Sequence, residues 1–165
     1  MADDSNTDGA RDLEGLLMDV ARRAAGYLAS LEHRGVAPVP DAIASLAALD
    51  EPMPDGPTDA RRVIATLDDV VGPATMGMAG PRFFGFVFGG SLPVTLASNW
   101  LAGTWDQNTA FGRITPGVSR LEEVALRWLK DLLGLPTSTQ GAFVTGATMA
   151  NFTALAAARH RVLAD

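Results

Sequence analysis

The stretch that decides the fold lies at residues 141–159 and reads Gly141-Ala-Phe-Val-Thr-Gly-Ala-Thr-Met-Ala-Asn-Phe-Thr-Ala-Leu-Ala-Ala-Ala-Arg159. Residues 141–144 are mostly apolar and predict a short buried strand. The small residues at 145–148 predict a turn, and the alanine-rich run after them predicts a helix from Met149 to Leu163. The stretch therefore predicts a strand, a tight turn and a helix in succession.

The turn of this stretch is the best candidate for a ligand site. A helix that follows a small-residue turn presents unpaired backbone N–H groups and the positive end of its dipole, where an anion can dock. Gly146 and Ala147 allow close approach of the backbone, and Thr148 can add a hydroxyl donor. The turn matches neither G-x-x-x-x-G-K-[ST], because the lysine is absent, nor G-x-G-x-x-G. From these residues alone, a simple helix start without a ligand remains the alternative.

The helix before this stretch has clear start and stop signals. Thr115-Pro-Gly and the Ser119-x-x-Glu122 pattern both predict a helix start, and Gly134-Leu-Pro136 predicts its end. Lys130, the only lysine of the chain, is expected to be solvated beside the apolar stripe. That stripe is predicted to form the inner face of the helix and comprises Leu121, Val124, Ala125, Trp128, Leu129, Leu132 and Leu133.

Aromatic residues concentrate between Phe83 and Phe111, where seven of the chain's eleven lie. Core packing explains most of them, although Gly89-Gly-Ser-Leu-Pro93, which predicts a tight backbone and a helix start, also suits the wall of a ligand pocket. The run from Phe83 to Trp105 is uncharged, but its glycines, proline and polar residues argue against a membrane span.

The N-terminal part is helical in character. Residues 1–10 are small and polar and predict a disordered leader. Residues 12–34 carry leucines at helical spacing and predict an amphipathic helix, and shorter helices follow around residues 41–49 and after Thr58. These helices alternate with proline-rich extended pieces, so they are expected to cover a partner surface.

Composition and charge exclude several classes of protein. The 165 residues are 47% hydrophobic and 19% charged, which is typical of a globular chain. Residues 1–69 hold 14 acids and six bases, whereas residues 70–165 hold five acids and seven bases, and no basic stripe predicts nucleic-acid binding. Cysteine is absent and the N-terminus is acidic, which favours a cytoplasmic protein without disulfides or a signal peptide. No His and carboxylate cluster has metal spacing.

The stretch 141–159 resembles the phosphate-binding signature of the group II pyridoxal-5′-phosphate-dependent decarboxylases, the family that includes aromatic-L-amino-acid and glutamate decarboxylases. In that signature, a strand and a small-residue turn precede Ala-Asn and an Ala-Ala-Arg helix. Three further blocks agree with the family in order and spacing: Pro81-Arg-Phe-Phe-Gly-Phe86, Thr115-Pro-Gly with Leu121-Glu-Glu123, and Trp128 through Leu135-Pro136. The resemblance covers most of residues 58–165.

This resemblance implies an α/β fold of the fold type I class and decarboxylation of an amino acid with pyridoxal 5′-phosphate as cofactor. Residues 11–80 would form a helical segment that packs on the partner subunit of a homodimer, and residues 81–165 would begin the large cofactor-binding domain. The residues it implies for the site are Gly146, Ala147 and Thr148 around the cofactor phosphate, and Phe83, Phe86 and Phe88 on the substrate side.

The resemblance assigns no catalytic residue to this chain. In the family, the lysine that binds the cofactor, the aspartate beside its ring nitrogen and the stacking histidine all follow the phosphate turn, whereas only six residues follow Arg159 here. We therefore expect the N-terminal part of a carboxy-lyase that is inactive by itself. The alternatives are another fold type I enzyme, such as an aminotransferase, and a non-catalytic helical dimerisation module.

Overall fold

The computed structural model describes residues 5–109 and 111–164, with side chains from residue 12 onward, and forms two compact units, Met1–Leu96 and Ala97–Asp165. Within the described ranges every regular element is helical. The α-helices are α1 (Ser5–Ser30), α2 (Pro40–Ala44), α3 (Ala60–Thr66), α4 (Pro93–Trp105), α5 (Pro116–Leu132) and α6 (Ala147–Leu163). A π-helical turn at Leu67–Val71 continues α3, and 3-10 turns lie at Ser45–Leu49 and Gly72–Ala74.

Helix α1 is the amphipathic helix that the leucine spacing predicts, but with different ends. It begins at Ser5, so residues 5–10 are helical although their composition predicts a disordered leader; residues 1–4 lie outside the described residues. It ends at Ser30, where the Ser30 hydroxyl donates to the Tyr27 carbonyl over 2.6 Å. A serine hydroxyl that hydrogen-bonds the backbone of its own helix competes with the helical hydrogen bonds, so serine is more common at helix ends than inside helices.

A charged cluster joins α1 to the π-helical turn of the first unit. The Arg23 guanidinium donates to Asp68 over 2.8 Å, to Asp69 over 3.0 Å and to Asp19, one turn earlier on α1, over 3.0 Å. The hydrogen bond with Asp68, followed by those with Asp19 and Asp69, raises the pKa of Arg23 above its usual range. Arg23 therefore stays charged at any ordinary pH and links the two elements.

Arg34 fixes the chain that follows the π-helical turn. Its Nη2 donates to the carbonyls of Gly72, Pro73 and Thr75 over 3.1–3.3 Å, and its guanidinium carbon lies 4.7 Å from the centre of the Tyr27 ring. The Tyr27 hydroxyl in turn lies 2.9 Å from the Thr75 hydroxyl. These contacts hold residues 72–75 against the end of α1.

The apolar core of the first unit is small. Among the described apolar side chains, only Leu31 and Ala42 are buried, at 7% and 8% exposure. On α1, Leu13 and Leu17 remain about half exposed, at 57% and 49%. The helix therefore presents an apolar surface that the described residues do not cover.

Helix α4 begins with Pro93 in its first turn, as the sequence predicts. Together with the loop before it, this helix forms the uncharged run from Phe83 to Trp105. In the part of the chain that the structure describes, no helix has both the length and the apolar character needed to cross a bilayer.

Helix α5 begins after Thr115 and ends at Leu132, close to the predicted bounds. The buried Thr115 does not cap the helix with its side chain; its hydroxyl instead donates to the carbonyls of Asn108 and Phe111. At the other end, Gly134 has φ of +64°, and the N–H groups of Gly134 and Leu135 donate to Asp131 and Lys130. A left-handed glycine with these two bonds is the usual way to end a helix, so the predicted stop is confirmed.

Much of the predicted inner face of α5 is exposed. Leu121, Trp128 and Leu132 are expected to face inward but are 61%, 68% and 80% exposed. Val124 and Ala125 of the predicted face are half-buried, and so is a second stripe of Glu122, Leu126 and Lys130, which contacts the chain segment that follows α5. Leu121, Trp128 and Leu132 have no covering element within the described residues, so α5 also presents an apolar surface.

Residues 141–144 are not the buried strand that the sequence predicts. They form no strand, and Phe143 and Val144 are 56% and 39% exposed. A strand requires a neighbouring strand for its backbone hydrogen bonds, and the described residues contain none. The predicted α/β character is therefore absent from the described part of this chain, which is helical.

Candidate functional site

The candidate site is the turn that leads into α6. Gly146 precedes the helix in an extended conformation, and Ala147 is its first residue. The N–H of Ala150 donates to the Gly146 carbonyl over 3.0 Å, and this is the first bond of the helical ladder. The N–H groups of Ala147, Thr148 and Met149 therefore lack acceptors among the described residues.

No side chain caps this helix end. At the start of α3, by contrast, the Asp59 carboxylate accepts a hydrogen bond from the N–H of Arg62 over 2.9 Å. The residue before α6 is Gly146, which has no side chain, and the Thr148 hydroxyl has no partner in the described part of the chain. Three N–H groups and one hydroxyl are thus available to an external acceptor.

The space in front of the turn suits a phosphate group. A Cβ atom added at Gly146 would meet nothing within 4 Å, and residues 141–150 are all exposed. The first turn of α6 carries no acidic residue that would repel an anion. Backbone N–H donors, a hydroxyl and the helix dipole together form the donor set that phosphates commonly use. The residues present therefore fit the phosphate of pyridoxal phosphate.

The chain that leads into this turn lies along one face of α5. The Lys130 ammonium donates to the Thr137 carbonyl over 2.9 Å, and the Glu122 carboxylate accepts from the N–H of Phe143 over 3.3 Å. Sequence reasoning predicted a solvated Lys130 and missed the contact of Glu122. The adjacent Glu123 has a different partner, Arg120, at 2.6 Å.

The predicted substrate-side residues form an aromatic cluster in the first unit. The ring centres of Phe83 and Phe86 lie 6.3 Å and 6.4 Å from that of Phe88. Phe86 and Phe88 are 79% and 58% exposed, and Phe86 and Val87 both have a positive φ, near +60°. Consecutive non-glycine residues in this conformation are uncommon. The structure thus brings the three rings together, while the turn at Gly146 belongs to the second unit.

The described residues hold no group of three or more His, Asp or Glu side chains that could bind a metal ion. His160 lies in the last turn of α6, at the opposite end of the helix from Gly146. The groups that the turn offers to a ligand are therefore backbone N–H groups and the Thr148 hydroxyl.

Comparison with known proteins identifies the family of this chain. The model of the pyridoxal-dependent decarboxylase conserved domain matches residues 43–165, which is more than half of the chain. An aromatic-L-amino-acid decarboxylase of Bacillus atrophaeus is 31% identical over 115 residues, which cover 70% of this chain and 24% of that protein. The chain thus spans about a quarter of the length of this curated relative. Membership of the family implies the fold type I architecture. On the strength of the match over residues 43–165, this chain belongs to the pyridoxal-dependent decarboxylase family.

Proposed function

We propose that this chain serves the decarboxylation of an amino acid with pyridoxal 5′-phosphate as cofactor, and that its own part is to hold the cofactor phosphate at the start of α6. The observation that carries the proposal is the uncapped helix start, where three N–H groups and the Thr148 hydroxyl have no acceptor in the described residues. The match to the family model supports the same assignment.

Each residue of the turn has a separate role in this proposal. The N–H groups of Ala147, Thr148 and Met149 donate to phosphate oxygens, and the Thr148 hydroxyl adds a fourth donor. Gly146 leaves the space in front of them open. The chemistry that pyridoxal phosphate supplies when bound is an electron sink for the electron pair left behind when carbon dioxide departs.

The aromatic cluster of Phe83, Phe86 and Phe88 is proposed to line the substrate side of the site. Exposed rings offer apolar, polarisable surface to a substrate side chain. The similar Bacillus protein is named an aromatic-L-amino-acid decarboxylase, and an aromatic amino acid is the substrate that such a cluster favours. Substitution of Phe86 by serine should raise KM for an aromatic amino acid more than for a small aliphatic one.

A homodimer in the cytoplasm is also proposed, with residues 11–80 packing on the partner subunit and residues 81–165 beginning an α/β large domain. The half-exposed Leu13 and Leu17 of α1 support the dimer, because surfaces of this kind are commonly buried in assemblies. The absence of cysteine fits a reducing compartment. Analytical ultracentrifugation should show self-association that Leu13→Lys weakens, and a monomer at all concentrations would refute the dimer.

The phosphate site can be tested on the 165-residue chain with pyridoxine 5′-phosphate, which lacks the aldehyde and so does not react with amines. In ¹⁵N–¹H spectra, the amide signals of Ala147, Thr148 and Met149 should shift on titration, and pyridoxine without phosphate should leave them in place. Unshifted signals at millimolar ligand would refute the site. In an active enzyme that contains these residues, release of carbon dioxide would support decarboxylation, whereas a keto acid product would indicate transamination instead.

A further inference from the structure

One stripe of α5 contacts the segment that leads into the phosphate turn at three points. Lys130 donates to the Thr137 carbonyl over 2.9 Å, Leu126 lies 3.1 Å from where a Cβ of Gly141 would stand, and Glu122 accepts from the N–H of Phe143 over 3.3 Å. The three helix residues are spaced by four, so they lie above one another on a single face. The segment therefore runs antiparallel to α5 along this stripe.

The three contacts differ in how strongly they direct the chain. Leu126 contributes packing against Gly141, where a larger residue would force the leucine to move. Lys130 binds the segment six residues before Phe143. Glu122 makes the contact closest to the turn, only three residues before Gly146, and its carboxylate gives the hydrogen bond the added strength of a charged acceptor.

The Phe143 N–H depends on this contact. Residues 141–144 form no strand, so their N–H groups lack the ladder that a sheet would provide. In the described residues, the Glu122 carboxylate is the acceptor for Phe143. Without it, the last fixed point before the turn would be the packing of Leu126 on Gly141, two residues earlier.

We propose that Glu122 is a positioning residue for the phosphate site, which acts through Phe143 to fix where the N–H groups at the start of α6 lie. This inference rests on the proposed function, because it assumes that a phosphate binds at Ala147 and Thr148. Glu122 does not contact the ligand; it sets the position of the donors that do.

Three variants of the full chain test this role. Glu122→Ala removes the acceptor, Glu122→Gln keeps an amide oxygen at the same place, and Glu123→Ala is the matched control, since Glu123 is exposed and pairs with Arg120. Alanine is at least as good a helix former as glutamate, so α5 itself should form in all three. Titration with pyridoxine 5′-phosphate gives affinity, and amide hydrogen exchange gives the protection of Phe143.

Glu122→Ala should speed exchange at Phe143 and weaken pyridoxine 5′-phosphate binding about three- to tenfold, which is the usual effect of one lost hydrogen bond. Glu122→Gln should retain most of the protection of Phe143 and most of the affinity for pyridoxine 5′-phosphate. Glu123→Ala should change neither the protection nor the affinity. Faster exchange at Phe143 with unchanged affinity would refute the positioning role and leave the proposed function intact. Absence of binding by the unmodified chain would instead refute the proposed function, and the positioning role with it.

Discussion

Replacement of Thr148 by alanine separates a ligand-binding hydroxyl from a helix cap, because the two roles give stability changes of opposite sign. Thr148 is the second residue of α6, and its hydroxyl has no partner in the described residues. Its removal therefore breaks no hydrogen bond of the described chain. Alanine is the better helix former, so Thr148→Ala should leave stability unchanged or raise it by up to about 0.7 kcal/mol.

The affinity of Thr148→Ala for pyridoxine 5′-phosphate should fall. The hydroxyl is one of four donors at the turn, and the three N–H groups of Ala147, Thr148 and Met149 are unaffected by the substitution. A hydrogen bond to a charged group contributes about 1.5–3 kcal/mol, or roughly ten- to hundredfold in affinity. The exposure of the turn places the expected loss near the lower end, at about tenfold, since water competes for the same oxygens.

The assay is calorimetric titration of pyridoxine 5′-phosphate combined with thermal unfolding. Thr148→Ser keeps the hydroxyl and should lose less affinity. Thr153→Ala is the control, because Thr153 lies more than one turn further along α6 and its hydroxyl already donates to a carbonyl of the same helix, that of Met149. Gly146→Glu should lose more affinity than Thr148→Ala, since it places a carboxylate in the phosphate space. Unchanged affinity together with a lowered melting temperature in Thr148→Ala would remove Thr148 from the site and restore its interpretation as a cap.

Three other outcomes follow from the structure. Incubation with pyridoxal phosphate and reduction with borohydride should give no stoichiometric label at Lys130, whose ammonium binds the Thr137 carbonyl. Specific labelling of Lys130 in a peptide map would contradict the expectation that the 165 residues do not hold the cofactor covalently. Arg23→Gln should lower the melting temperature, because Arg23 contacts three carboxylates, and the drop should be smaller in 1 M salt, which screens these charges. Equal melting temperatures of the two proteins would disprove that Arg23 links α1 to the π-helical turn. Gly134→Ala should lower the free energy of unfolding by about 1 kcal/mol, because Gly134 has a φ of +64° that alanine adopts only with strain. Gly26→Ala, inside α1, should raise the free energy of unfolding, since the added methyl group meets no other atom. Chemical denaturation measures both changes.

Local signals in the sequence predict several helix ends. Pro93, Thr115-Pro116 and Gly134 restrict the backbone at their own positions, so the start of α4 and both ends of α5 follow from a few neighbouring residues. The start of α6 also lies within two residues of its predicted position, since small residues precede an alanine-rich run.

Features that depend on distant residues were predicted poorly. The strand predicted at 141–144 is absent, because a strand needs a neighbouring strand, which no local pattern supplies. The link from Arg23 to Asp68 joins positions 45 residues apart, and the contacts of α5 with the segment that follows it pair residues up to 21 positions apart. The candidate turn was found because its donors are backbone groups of consecutive residues, whereas the support from Glu122 lies 21 residues from Phe143.

The open start of α6 has a thermodynamic consequence for the helix itself. A helix such as α3 carries its own cap in Asp59, so its first turn has the same stability at any ligand concentration. The first turn of α6 has no such group, and the proposed phosphate would complete it. By mass action, a ligand at 100 times its Kd stabilises the bound form by about 2.7 kcal/mol. If phosphate binds there as proposed, the rate of amide exchange in the first turn of α6 would report the concentration of free phosphate ligand around the protein.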